Sequence, residues 1–273
     1  MKTQTITSTA NAHIKAIRQL AHKSAGYKSA GQIWLEGEHL CDAYLLALAK
    51  PKISAIPTLQ TIILGESAKP IWMARLEAPL SQGLLNMASE AIVVPDALFE
   101  SISGLPSSGG LGFVLIQPQL ENFIQKTAHT VILDGVQDAG NVGSILRSAA
   151  AFGVSQVLAL NGTAALWSPK VLRAAMGAHF ALHLVENLNA DDIQLDVPIL
   201  ATHVHAGEFL HALQATKKIP NPCAWVMGSE GQGVSEALLD KASQRVKIEQ
   251  LSEESLNVAA AAAVCLYASM RTN

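Results

Sequence analysis

The strongest constraint on this chain is a pattern that begins at Thr130, where short apolar runs alternate with longer helical stretches. The runs Val131–Leu133, Val157–Leu160, Ile199–Thr202, Ala224–Met227 and Val246–Ile248 read as strands, and Val142–Phe152, Ser235–Ala242 and Leu256–Met270 as helices. Strands that are apolar on both faces and joined by helices require a parallel sheet covered on both sides. The expected fold class is therefore α/β. In open sheets of this kind ligands sit beyond the carboxyl ends of the strands. The turns Asp134–Asn141, His203–Gly207, Gly228–Gly233 and Glu249–Asn257 are the places to look for chemistry.

The first half carries a weaker version of the same alternation. An amphipathic helix over Ala12–Lys23 has Ile14, Ile17 and Leu20 on one face. Strands at Gln32–Leu35, Thr61–Leu64, Ile71–Met73, Ala91–Val94 and Phe113–Ile116, with a helix at Leu40–Lys50, make residues 1–116 a small α/β domain. A loop at Leu105–Gly112 falls inside it, a polar linker at 117–129 contains Pro118, and residues 130–273 form the second domain. A chain of 273 residues, 49% hydrophobic and 15% charged, supports two cores and is too apolar for disorder. The longest apolar run, Val258 to Met270, is shorter than the roughly 20 residues of a membrane helix, so a soluble protein is expected. Cys41, Cys223 and Cys265 are odd in number and form no CxxC pair, which points to a reducing, cytoplasmic setting without disulfides or zinc.

Charge is unevenly placed. Residues 1–35 hold Lys2, Lys15, Arg18, Lys23 and Lys28 and no acid, for +5, while the remainder carries −8. An acid-free basic arm on an acidic body suits either a phosphate-binding appendage or a solvated helix.

Three turns carry the candidate chemistry. Asn141 is placed to cap the helix that follows it, whose buried stripe is Val142, Ile145, Leu146, Ala149 and Ala150; Arg147 points about 130° from that stripe, toward solvent, a ligand or a partner. Gly228, Gly231 and Gly233 between a strand and a helix let backbone N–H groups approach a ligand, but their spacing is neither GxGxxG nor a P-loop. Ser255 and Asn257 open an apolar helix, where they either cap it or line a pocket. His203, His205 and His211 lack the partners of a metal site, and no Gly-x-Ser-x-Gly elbow supports a serine hydrolase.

Together, Asn141-Val-Gly-Ser-Ile-Leu-Arg147-Ser-Ala-Ala-Ala-Phe-Gly153, Gly228-Ser-Glu230-Gly231-Gln-Gly233 and Ser255-Leu-Asn257-Val258 resemble the three motifs of the SpoU/TrmH branch of the SPOUT RNA methyltransferases. Ser168-Pro-Lys-Val-Leu-Arg173-Ala-Ala-Met-Gly177 is similar to the family's connecting segment, and the likeness runs from about Val131 to Arg271. Upstream, Asn11-Ala-His-Ile-Lys15-Ala-Ile-Arg18 and Leu35-Glu-Gly-Glu-His-Leu40 resemble the L30e-like substrate-binding domain that often precedes it.

The resemblance implies a parallel-sheet domain with a deep trefoil knot, a homodimer, and methyl transfer from S-adenosylmethionine to a ribose 2′-hydroxyl in RNA, with ribosomal RNA placed ahead of transfer RNA because of the added L30e-like module. It places Thr202, His203, Met227, Gly228, Gly231, Ile248 and Leu256 around the cofactor, Asn141, Arg147, Glu230, Ser255 and Asn257 at the catalytic positions, and His13, Lys15, Arg18 and Arg173 on the RNA. No metal is required. Arg147 is expected to stay cationic, gripping a phosphate and stabilising the developing alkoxide, since a guanidinium is a poor base near neutral pH. The family usually has Ile-Pro-Met before its third motif, where this chain has Ile248-Glu-Gln250. That departure is the main support for a second reading, a non-catalytic RNA-binding or ribosome-assembly factor of the same fold. A nicotinamide dehydrogenase lacks its phosphate fingerprint here.

Overall fold

In a computed structural model, the residues described are 2–53, 56–81, 90–105, 109–117, 123–251 and 255–270. Pro118, Glu254 and Arg271, and residues 106–108 of the Leu105–Gly112 loop, lie outside them. The chain divides into two compact units, Met1–Leu120 with Trp167–Phe180, and Glu121–Leu166 with Ala181–Asn273. The grouping departs from a single cut at 117–129 in giving residues 167–180 to the first unit.

The first unit runs β1 (Lys2–Thr5), α1 (Ala12–His22), α2 (Gly26–Ala30), β2 (Gln32–Glu36), α3 (Glu38–Ala49), β3 (Thr58–Gly65), α4 (Lys69–Ser81), β4 (Glu90–Val94), α5 (Asp96–Ile102) and β5 (Leu111–Ile116). Its mixed sheet has the order β1-β4-β3-β5-β2, with β2 and β5 antiparallel and β1, β4 and β3 parallel. Ile14, Ile17 and Leu20 of α1 are buried, as their spacing predicts. The N-terminal residues are not a free arm: β1 is an edge strand paired to β4, and α1 is capped by the Asn11 side chain. Residues Ile71–Met73, expected as a strand, lie within α4, where Trp72 and Leu76 are buried and Ile71 and Arg75 exposed. Those three apolar residues are too short a window to separate a period of 2 from one of 3.6.

The second unit contains β6 (Thr130–Asp134), α6 (Ala139–Ala151) and β7 (Gln156–Leu160); α7 (Pro169–Ala175) follows in the chain but belongs to the first unit. It continues with β8 (His183–Leu188), β9 (Ile199–Thr202), β10 (Glu208–Phe209), α8 (Leu210–Ala215), β11 (Ala224–Gly228), α9 (Glu236–Leu239), β12 (Gln244–Lys247) and α10 (Val258–Ser269). The helix expected over Ser235–Ala242 is thus a single turn. All seven strands are parallel, in the order β10-β12-β9-β11-β6-β7-β8. Ile132, Leu158, Val226, Leu238 and Leu239 share one buried cluster. Trp225, which points to the opposite side of β11 from Val226, hydrogen bonds Ser269 of α10 (2.7 Å), and α10 packs on α6. The sheet is therefore covered on both faces. From β6 the chain steps outward to β7 and β8, then returns to build β9 and β11 on the other side, so the order reverses between β6 and β11. Such a reversal opens a crevice at the carboxyl ends of the strands.

Candidate active site

A cavity of about 640 Å³ lies beyond the carboxyl ends of β9, β11 and β12. Thr202 and His203 line it after β9, Met227 and Gly228 at the end of β11, Gly231 in the following loop, Ile248 after β12 and Leu256 before α10. All seven residues expected around a cofactor therefore wall a single cavity, joined there by Glu230, Ser255 and Asn257. Ile248 and Gln250 both line it, so the unusual Ile248–Gln250 segment is part of the wall and does not close it.

The glycine-rich loop has a defined shape. Ser229 and Gly233 exchange backbone hydrogen bonds of 3.0 and 2.9 Å, and the Ser229 hydroxyl accepts from the Gln232 N–H. A Cβ at Gly228 would come within 2.1 Å of the Gly233 carbonyl carbon, so only glycine lets the chain fold back this tightly. The end of β6 and the start of α6 hold the loop at two points. Asp134 Oδ2 accepts from the Ser235 N–H at 2.7 Å, and Asn141 Nδ2 donates to Glu230 Oε1 at 2.7 Å.

Asn141 also accepts from Asn257 Nδ2 (2.9 Å), giving a continuous chain Asn257–Asn141–Glu230 that ties together the three motifs. Asn257 is at the same time the cap of α10, its Oδ1 accepting from the N–H groups of Ala259 and Ala260. The two readings of Asn257, cap and pocket residue, are thus both correct. Asn141, by contrast, is not the cap of α6. The helix starts at Ala139, and Asp138 caps it by accepting from the Asn141 N–H (2.8 Å). Its side chain is freed for Glu230 and Asn257 because the cap lies three residues earlier than the apolar stripe suggests.

Arg147 is exposed on α6 and is not among the cavity's lining residues. Six residues after Asn141, it lies about 9 Å further along the helix axis, away from the strand ends. His13 and Lys15 are exposed on α1. Arg18 is engaged instead: its guanidinium donates to the Ser101 carbonyl (3.2 Å) and hydroxyl (2.9 Å), docking α1 on α5. Arg173 of α7 is half-buried, close to Gly104 and the buried Glu36. The residues missed from sequence are Asp134, whose role depends on a contact 101 positions away, and Ser229, Gln232 and His205 around the cavity. Among the described residues no group of three or more His, Cys, Asp or Glu is arranged to hold a metal, and no helix is long and apolar enough to cross a membrane.

Residues 128–267 match the SpoU rRNA methylase family. The chain belongs to that family. It is an RNA methyltransferase by this membership. Over 97% of its length it is 30% identical to an uncharacterized tRNA/rRNA methyltransferase of Synechocystis, of which the match covers 93%. It is 27% identical to the 23S rRNA (guanosine(2553)-2′-O)-methyltransferase RlmP of Bacillus subtilis, covering 96% of this chain and 97% of that one. The crystal structure of an AdoMet-bound rRNA methyltransferase from Sinorhizobium meliloti has the same fold, with a TM-score of 0.78, 24% identity and coverage of 98% and 97%.

Proposed function

We propose that this methyltransferase transfers a methyl group from S-adenosylmethionine to a ribose 2′-hydroxyl of structured RNA, ribosomal RNA in the first place and transfer RNA in the second. The observation that carries this reading is the Asn257–Asn141–Glu230 chain at a cavity walled by the three motif loops.

The cavity suits the cofactor chemically. Val204, Met227, Ile248 and Leu256 offer apolar surface to a nucleoside ring, while Thr202, Glu230, Ser255 and the backbone of the 228–233 loop offer polar partners to the sugar and the amino acid end. When bound, S-adenosylmethionine supplies a methyl group on a sulfonium, which needs no metal. The protein's part is alignment, since displacement at carbon requires the hydroxyl oxygen in line about 3 Å away. Glu230, held by Asn141 through Oε1, orients the polar groups around it at the cavity wall, and Ser255 and Asn257 fix the ribose or the methionine end. Arg147 grips the neighbouring phosphate and stabilises the alkoxide as the hydroxyl proton passes to solvent water.

The broader architecture is read in the same way. Residues 1–116 form an L30e-like RNA-binding domain, followed by a 117–129 linker and a 130–273 catalytic domain whose segment 167–180 joins the first unit; exposed His13 and Lys15, with Arg173, face the RNA, while Arg18 contributes by fixing α1. A trefoil knot is supported by the path of the chain after β12, which returns to place α10 against α6 and β11. A homodimer is supported by the apolar outer face of α10, where Val264, Tyr267 and Met270 are exposed and Tyr267 packs on Phe152 at the end of α6. Arg147 is exposed on that same α6, where a second copy would meet it. The three cysteines are free, which supports a cytoplasmic setting.

The test is to map 2′-O-methyl marks in total RNA with and without the gene, and to restore the gene as Arg147→Lys. One mark should disappear on deletion and return weakly with the lysine variant. Full restoration would exclude bidentate gripping by Arg147, and an unchanged map would exclude the activity.

A further inference from the structure

The free edge of the seven-stranded sheet carries a second surface that the cofactor cavity does not use. β10 is only two residues long, yet it ends on Phe209, which is 37% exposed and sits in register with Lys247 of β12. Lys247 Nζ lies 4.1 Å from the centroid of the Phe209 ring, and the His211 ring is stacked on Phe209 at 5.3 Å and 28°. The turn leading into β10 is part of the cavity wall: His203, Val204 and His205 line it, and Val204 is 57% exposed. The platform thus follows the cavity wall closely in the chain: Phe209 comes four residues after His205, and Lys247 stands between the lining residues Val246 and Ile248.

We propose that Phe209, His211 and Lys247 form a stacking platform for an unpaired RNA base adjoining the nucleotide that is methylated. This inference rests on the RNA methyltransferase reading above. Nothing in folding asks for an aromatic ring on a two-residue edge strand, where burial is incomplete. With Lys247 Nζ over the Phe209 ring and the His211 ring stacked on it, the three side chains form an aromatic surface with one fixed positive charge, and the largely exposed His211 ring extends it outward. An unpaired nucleotide matches it with a π-face for the ring and a phosphate for Lys247. Two carboxylates also lie here, Glu208 on β10 itself and Glu249, whose Oε2 is 3.6 Å from His211 Nδ1. With one ammonium against two carboxylates the surface has no excess of positive charge, so it favours a single stacked base over a backbone track. The turn into β10 is also closely packed. Gly207 has φ of +114°, and a Cβ there would fall 2.2 Å from the Arg245 carbonyl oxygen, so the turn is pressed directly on β12. A preformed surface loses little entropy on binding.

The probe is a fluorescently labelled single-stranded octamer of adenylate, titrated with the full-length protein at fixed salt. Phe209→Ala should weaken binding roughly fivefold or more, the range for loss of one base–aromatic stack, while Phe209→Trp should retain it. His211→Ala changes a largely exposed side chain that folding does not require, and it should weaken the octamer in the same direction. S-adenosylmethionine affinity, measured by calorimetry, should be equal in all four proteins. Equal octamer affinity in Phe209→Ala and wild type, or no octamer binding by wild type, overturns the platform. Failure of wild type to bind S-adenosylmethionine overturns the reading of the cavity instead, and leaves a Phe209-dependent octamer affinity standing.

Discussion

Asp134 does not line the cavity, yet it controls one of its walls. The loop from Ser229 to Ser235 is held at its exit by the carboxylate of Asp134, the last residue of β6, and near its tip by Asn141 in the first turn of α6. Removing the acceptor at Asp134 frees the Ser235 N–H and lets the loop swing on its Asn141 contact alone. A hydrogen bond to a charged group contributes about 1.5–3 kcal/mol. Asp134→Ala should therefore raise the KM for S-adenosylmethionine about tenfold or more, with a smaller change in kcat. Asp134→Asn keeps an oxygen for Ser235 and should recover most of the loss. Steady-state kinetics on the two variants check this, and an unchanged KM in the alanine variant would refute it. The sequence shows why this residue is hard to find. Asp134 stands in a turn where any acid reads as solvated, and its partner is far away in the chain. Glu230 and Asn257 were legible because their motifs are local, though the hydrogen bonds that join them through Asn141 were not.

At the level of elements, legibility followed burial. β6, β7, β9 and β11 are buried on both faces, and their unbroken apolar runs announce them. β1, β8 and β10 lie at sheet edges, where backbone pairing on one side suffices and the side chains need not be apolar: Lys-Thr-Gln-Thr, His-Leu-Val-Glu-Asn-Leu and Glu-Phe carry no strand pattern to find. α7 was overlooked although Ser168 followed by Pro169 is a readable start signal, with the serine capping Val171. One pairing of elements has a pH signature. His129, just before β6, lies against the head of β11, its Nδ1 2.9 Å from the Cys223 carbonyl oxygen. Burial holds its pKa below the ordinary 6.5, outweighing the hydrogen bond, which acts in the opposite direction. The unfolded chain thus takes up a proton that the folded chain refuses, so stability falls as pH drops below 6.5 toward the native-state pKa. Thermal melts between pH 7.5 and pH 5.5 should show a steeper decline for the wild type than for His129→Asn. Parallel declines would mean that other histidines carry the effect.

For the whole molecule, the uneven charge visible in the sequence acquires a different meaning once the first unit is seen. Residues 2–22 supply an edge strand and a packed helix, so the basic cluster is a face of a folded unit and not a tail. Truncating them would remove β1 and expose the core beneath Ile14, Ile17 and Leu20, and any loss of RNA binding would then be uninformative. Point changes separate the two effects. Lys15 and Lys23 are exposed and make no ion pair among the described residues, whereas Arg18 is committed to Ser101. If Lys15 and Lys23 each neutralise a phosphate, binding should weaken with salt in proportion to the number of contacts, by a slope of about 0.7–0.9 per phosphate on logarithmic axes. The Lys15→Ala, Lys23→Ala double variant should bind RNA more weakly at low salt, with a slope shallower by roughly 1.4–1.8, and its melting temperature should stay close to that of wild type. A salt slope identical to that of the parent protein would show that this face does not touch RNA, and would move the search for the substrate surface away from α1.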